Sequence, residues 1–148
     1  MTGVVSLLIV LAASTMVGLL WRRLNGRIRP VPPAGAGGGT SPAEPGMAEV
    51  LAGLGVDPAA APVTLVQFSS AFCQPCRATR RVLDQVVGQL PGVRHVEVDV
   101  EAHLDAVRAL SILRTPTVLV VDPAGRVVNR ASGQPRTADV IAAVAPYL

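Results

Sequence analysis

Cys73 and Cys76 are the only cysteines among the 148 residues, and they stand three positions apart as Cys73-Gln74-Pro75-Cys76. Two thiols at this interval can close a disulfide and reopen it, which is the chemistry of thiol–disulfide exchange. Before the pair runs Val63 to Phe68, dense in β-branched and apolar residues as a buried strand would be. After it, Ala78, Val82, Leu83, Val86, Val87 and Leu90 recur at helical spacing. A cysteine at the tip of that helix would meet unpaired backbone N–H groups and the positive end of the helix dipole, and both favour a thiolate. Pro75 suits a first turn, where its missing N–H costs nothing. Arg77 adds positive charge nearby, and Arg80 stands one turn on. On this placement Cys73, at the tip, is the attacking thiolate, and Cys76, a turn deeper, is the thiol that resolves the mixed disulfide.

Other uses of the pair fit less well. A purely structural bridge would close a loop of four residues and stabilise little. A zinc site wants four ligands, and only His95 and His103 remain to help. Haem attachment needs a histidine at position 77, where Arg77 stands. Two cysteines exclude a multi-disulfide scaffold. No metal or cofactor is expected, and neither histidine is expected to serve a site, since both fall on faces that read as exposed.

The elements that would hold the cysteines follow along the chain. Met47 to Leu54 reads as a short helix ended by Gly55, followed by the Val63–Phe68 strand and the helix after the cysteines, which Pro91-Gly92 stop. Val93 to Val100 alternates, with Val96, Val98 and Val100 opposite Glu97 and Asp99. Leu104, Val107, Leu110 and Ile112 suggest another helix, and Thr117 to Val121 a continuous apolar strand. Asp122-Pro123-Ala124-Gly125 makes a tight turn into a returning strand at Val127-Val128. Thr137 to Ala145 closes with a helix, with Thr137 as its expected N-cap. The order α-β-α-β-α-β-β-α predicts an α/β fold, a mixed sheet with helices on both faces.

The remainder of the chain belongs elsewhere. Mean hydropathy is +0.47, high for a soluble protein. Residues 1–21 carry no charged side chain, and Gly3 to Trp21 is just long enough to cross a ~30 Å hydrocarbon core as a helix. Positive charge follows this run rather than preceding it, which fits an uncleaved anchor better than a signal peptide. Residues 22–46 are a basic collar (Arg22, Arg23, Arg27 and Arg29) and a linker rich in proline and glycine, and 47–148 are the expected domain. A flexible linker from 30 to 45 would reach about 20–25 Å and leave the domain free to turn. Its glycines are not a phosphate loop, because no Lys-Ser or Lys-Thr follows. The collar accounts for the net charge of +3, and without it the chain is slightly acidic. With four aromatics in all, Trp21, Phe68, Phe72 and Tyr147, a nucleic-acid partner has no support. Four arginines on the C-terminal flank of the anchor and none on the other favour a domain on the cytoplasmic side.

From Val63 onward the chain resembles the thioredoxin family. The resemblance rests on Phe72-Cys73-Gln74-Pro75-Cys76-Arg77, where thioredoxins carry Trp-Cys-Gly-Pro-Cys-Lys, and on Arg114-Thr115-Pro116-Thr117, with Gly125 and Gly133 also matching. It implies a thioredoxin-like fold over residues 47–148, a cis-proline at Pro116 facing the cysteines, and a Thr115 backbone that pairs with the bound peptide. It also marks departures. Phe72 replaces a tryptophan and Gln74 a glycine, and the residues between the cysteines tune the redox potential. Gln67 stands where the family buries an aspartate that manages the Cys76 proton, and Glu97 where a lysine accompanies it, so activation of Cys76 falls to water or Glu97. The family's first strand has no counterpart before Met47.

The expected function is membrane-tethered exchange with protein disulfides, as a reductase fed by a thiol or electron donor. The alternative is a non-enzymatic module of the same fold that senses redox state or binds a membrane partner.

Overall fold

The computed structural model describes residues 2–31 and 45–148. Helix α1, Thr2–Leu24, contains the span Gly3–Trp21, with mean hydropathy 2.4 and none of it buried against the rest of the chain. Among the described residues this one helix is long and apolar enough to cross a membrane.

Three residues later Ile28–Pro30 forms strand β1, and after residues 32–44, which lie outside the described residues, helix α2 spans Pro45–Gly53. A 3-10 turn at Pro58–Ala60 leads into β2, Val63–Ser69. Then come α3 (Gln74–Gln89), β3 (Val93–Asp99), α4 (Leu104–Ala109), β4 (Thr117–Val121), β5 (Val127–Ser132) and α5 (Thr137–Val144). From α2 onward this is the order expected from the sequence. Arg136 rather than Thr137 is the N-cap of α5, without a side-chain bond.

The five strands form one mixed sheet in the order β1-β5-β4-β2-β3. β2 pairs parallel with β3 and antiparallel with β4, β4 antiparallel with β5, and β5 antiparallel with β1. Among the described residues β3 has one neighbour and is an open edge. Every residue of β2 is buried, as a central strand covered on both faces requires. Val66, Phe68, Leu119 and Val121 point into a core with Leu51 of α2 and Leu110, while Val63, Leu65, Val118 and Val120 face Leu83 and Val86 of α3 and Val140 and Val144 of α5. Phe68 is fully buried, and removing such a side chain from water stabilises a fold by about 1.5–3 kcal/mol.

The region before Met47 differs from expectation. Ile28, Arg29 and Pro30, read as collar and linker, pair with Ala131, Arg130 and Asn129 of β5. A strand edge left open by β5 offers backbone partners, and Pro30 is tolerated because it ends an edge strand. The strand thus takes up the end of the expected collar and the first residue of the expected linker, while most of the Pro/Gly-rich stretch, 32–44, lies outside the described residues.

Candidate functional site

The site is assembled where β2 ends and β4 begins. Antiparallel register sets Phe68 opposite Thr117, so the loop after β2 meets the loop before β4. The Ser70 and Thr115 hydroxyls lie 3.2 Å apart across that junction. The Thr115–Pro116 peptide bond is cis, at the position the resemblance implied. The Thr115 backbone N–H and C=O have no hydrogen-bond partner among the described residues.

Cys73 is the N-cap of α3, and Pro75 sits in its first turn. Cys73 and Cys76 are joined by a disulfide with an S–S distance of 2.06 Å and a Cα–Cα distance of 5.2 Å. The Cys73 sulfur accepts the Cys76 backbone N–H at 3.1 Å, so a helix-terminal donor is already aimed at the sulfur that would carry negative charge. Cys73 is half-buried, whereas Cys76 is 2% exposed. Gln74, Pro75 and Arg77 are exposed around them. Arg77 has no ion partner among the described residues. Phe72 is 96% exposed and Leu113, beside the Pro116 loop, 94%.

Beneath Cys76 lies a polar network. Gln67 is wholly buried, and its Nε2 donates to Ser69 Oγ at 2.7 Å, to the Cys76 carbonyl at 3.0 Å and towards Glu97 Oε1 at 3.3 Å. Its own Oε1 is buried without a partner among the described residues. Parallel pairing sets Gln67 beside Glu97, and Arg80 of α3 forms an ion pair with Glu97. Arg80 is thus engaged below the site rather than directed at the sulfurs.

His95 differs from expectation. It reads as a surface residue, but its side chain is 10% exposed and bonds Asp84 of α3 at 3.0 Å. The alternation of β3 does not make an exposed face here, because α3 covers the side that carries His95 and Glu97. Neither His95 nor His103 is in contact with the cysteines.

Sequence reasoning did not anticipate the part played by the end of α1. Gly26 donates its N–H to the Ser132 carbonyl at 3.0 Å, which also accepts from Arg114 at 2.9 Å. Gly133 donates to the Pro116 carbonyl at 2.7 Å and packs on Asn25, whose Oδ1 lies 2.5 Å from where a Cβ on Gly133 would stand. Gly26, at φ +80, was the available signal, since no side chain fits there: a Cβ would lie 1.8 Å from the Gln134 carbonyl oxygen.

Among solved structures, chloroplastic thioredoxin z is 27% identical, with a TM-score of 0.52 over 57% of this chain and 77% of its own. Thioredoxin from Fasciola hepatica is 23% identical with a TM-score of 0.52, covering 58% of this chain and 81% of its own. A mutant thioredoxin of Halobacterium salinarum, 18% identical, matches with a TM-score of 0.55 over 60% of this chain and 77% of its own. A comparison with curated proteins finds no match. The thioredoxin family profile matches residues 57–146, more than half of the chain and all of the cysteine site, and on that match the chain belongs to the thioredoxin family.

Proposed function

We propose that the protein is a membrane-tethered thiol–disulfide oxidoreductase that reduces protein disulfides, with Cys73 as nucleophile and Cys76 as resolving thiol. The observation that carries this reading is the asymmetry of the pair: Cys73 is reachable and accepts a helix N–H, while Cys76 is buried beneath it. In the reduced protein the Cys73 thiolate attacks one sulfur of a substrate disulfide, and the other sulfur leaves as a thiolate. Cys76, once deprotonated, attacks the Cys73 sulfur and expels the second substrate thiolate. The substrate gains two electrons and two protons, the protein ends in the Cys73–Cys76 disulfide, and a thiol donor reduces it again. The free Thr115 backbone would hold the substrate strand, with Pro116 and Phe72 bordering it, and Gln74, Pro75, Arg77 and Gln67 would tune the sulfurs.

The span Gly3–Trp21 is proposed as an anchor, with the arginines that follow it holding the domain on the cytoplasmic side. That compartment keeps thiols reduced, which sets the direction as reduction.

A second reading is a redox-sensing or interaction module without turnover. Gln67 favours it, because a buried amide cannot take the Cys76 proton as a carboxylate would. The test is trapping: full-length Cys76→Ser should accumulate disulfide-linked adducts that vanish when Cys73 is also replaced. An accessible Cys73 that forms no adducts would turn the assignment to the sensing module.

A further inference from the structure

The anchor joins the sheet at the same end as the disulfide. Only Asn25, Gly26 and Arg27 separate α1 from β1, a reach of at most about 14 Å between the flanking residues. Even this is fixed, because Asn25 N–H bonds the Trp21 carbonyl and Gly26 N–H the Ser132 carbonyl. Register then sets the level. Ile28 is opposite Ala131, the neighbouring Ser132 is opposite Thr117, and Thr117 is opposite Phe68, the strand end that leads to Cys73. The start of β1 and the end of β2 thus lie within a residue or two of each other along the strands. Three strand spacings, about 14 Å, separate them sideways.

A continuous set of contacts crosses that gap. The Cys73 N–H bonds the Ser70 carbonyl, the Ser70 hydroxyl meets Thr115, the Pro116 carbonyl accepts from Gly133, and Gly133 packs on Asn25. None of the Gly3–Trp21 span is buried on the domain, so the helix departs from the end at which it is attached. Phe72 and Leu113, two almost fully exposed apolar side chains, project at that end. Arg27 and Arg114 are exposed there as well, and suit lipid phosphates.

We infer that the Cys73–Cys76 site faces the bilayer, and that its substrates are disulfides of integral membrane proteins within the headgroup layer or immediately outside it. The inference rests on the anchor and exchange readings above. A domain fixed in this attitude presents its sulfurs to a layer only about 7 Å deep on each side of the hydrocarbon. Disulfides carried far from the membrane on soluble domains are out of its reach.

The test uses the full chain in lipid nanodiscs containing headgroup-attached spin labels. A fluorophore is placed on Cys73 in Cys76→Ser, and in a second protein on Ala124→Cys with both native cysteines replaced by serine. Ala124 lies in the turn between β4 and β5, at the far end of the sheet. Quenching at Cys73 is expected to exceed that at position 124 by about threefold or more, since strands of this length set the two ends ~20 Å apart. Equal quenching, or stronger quenching at 124, would overturn the geometry. This readout needs no catalysis, so failure of exchange is distinguished from failure of orientation. In proteoliposomes, the reduced wild-type chain should act about tenfold faster on a transmembrane peptide whose disulfide lies at the bilayer surface than on one displaced ~40 Å by a rigid spacer. Equal rates would overturn the substrate assignment.

Discussion

The Gln67 side-chain nitrogen lies 3.0 Å from the carbonyl oxygen of Cys76, so a buried amide supports the resolving cysteine directly. That bond fixes the first turn of α3 to β2, but it carries no titratable proton. The carboxylate within reach of this network is Glu97, hydrogen-bonded to the same amide and paired with Arg80.

Glu97→Gln should therefore slow resolution. Removing a positioned proton acceptor lowers such a step by about a hundredfold or more. Stopped-flow measurement of release from a preformed Cys73 mixed disulfide checks this, with Arg80→Ala as a companion that leaves the carboxylate in place. Release unchanged in Glu97→Gln would assign the proton to water.

The two thiols should differ in reactivity once reduced. Cys76 is 2% exposed and Cys73 is half-buried at the helix tip. Alkylation followed by peptide mass spectrometry should modify Cys73 at least about a hundredfold faster than Cys76, as thiolate character and access both favour it. Comparable rates would reverse or erase the assigned roles.

Phe72→Ser and Leu113→Ser should leave the fold intact. Side chains 96% and 94% exposed contribute little packing, and stability should shift by no more than about 0.5 kcal/mol in denaturant titration. The same substitutions are expected to lower adduct yield from membrane fractions when combined with Cys76→Ser. A large loss of stability would mean that these residues pack on something in the folded chain.

Gly26→Ala should disturb the junction of anchor and sheet. Its Cβ would collide with the Gln134 backbone, which cannot swing away as a side-chain tip could, and φ +80 adds strain. Overpacking of this kind costs about 1–3 kcal/mol. Hydrogen exchange should rise at Ile28 and Arg29 and at Ala131–Gly133, while β2 and β3 stay protected.

The cysteine site was legible because its signals are local and redundant. A strand pattern, a first-turn proline and a CxxC interval agree on one helix tip, and Thr115-Pro116 names the facing loop. Helices on both faces of the sheet followed from the order of the elements, whereas the division of β2 and β4 side chains between the two core faces did not, because both strands are continuous apolar runs. What escaped the sequence is long-range. Ile28-Arg29-Pro30 carries two features that argue against a strand, a charge and a proline, and becomes one because β5, near the other end of the chain, supplies an edge. The burial of His95 likewise depends on Asp84 and α3 covering a face that its own strand pattern assigns to solvent. Gln67 could be placed beside Cys76 by resemblance, but its hydrogen bonds to Cys76 and Glu97 required the register of β2 and β3.

The edge of β3, open among the described residues, has its own bearing on the proposed membrane anchor. The proposed anchor would confine the chains to two dimensions, where neighbouring copies meet side by side far more often than in solution. An unpaired strand edge is then a template onto which a second copy could zip. β3 carries Arg94, Glu97 and Asp99 along its seven residues, and charges so spaced make a poor bed for another strand. In an anchored chain, those charges would keep crowding in the bilayer from turning a sheet edge into the seed of a lateral aggregate.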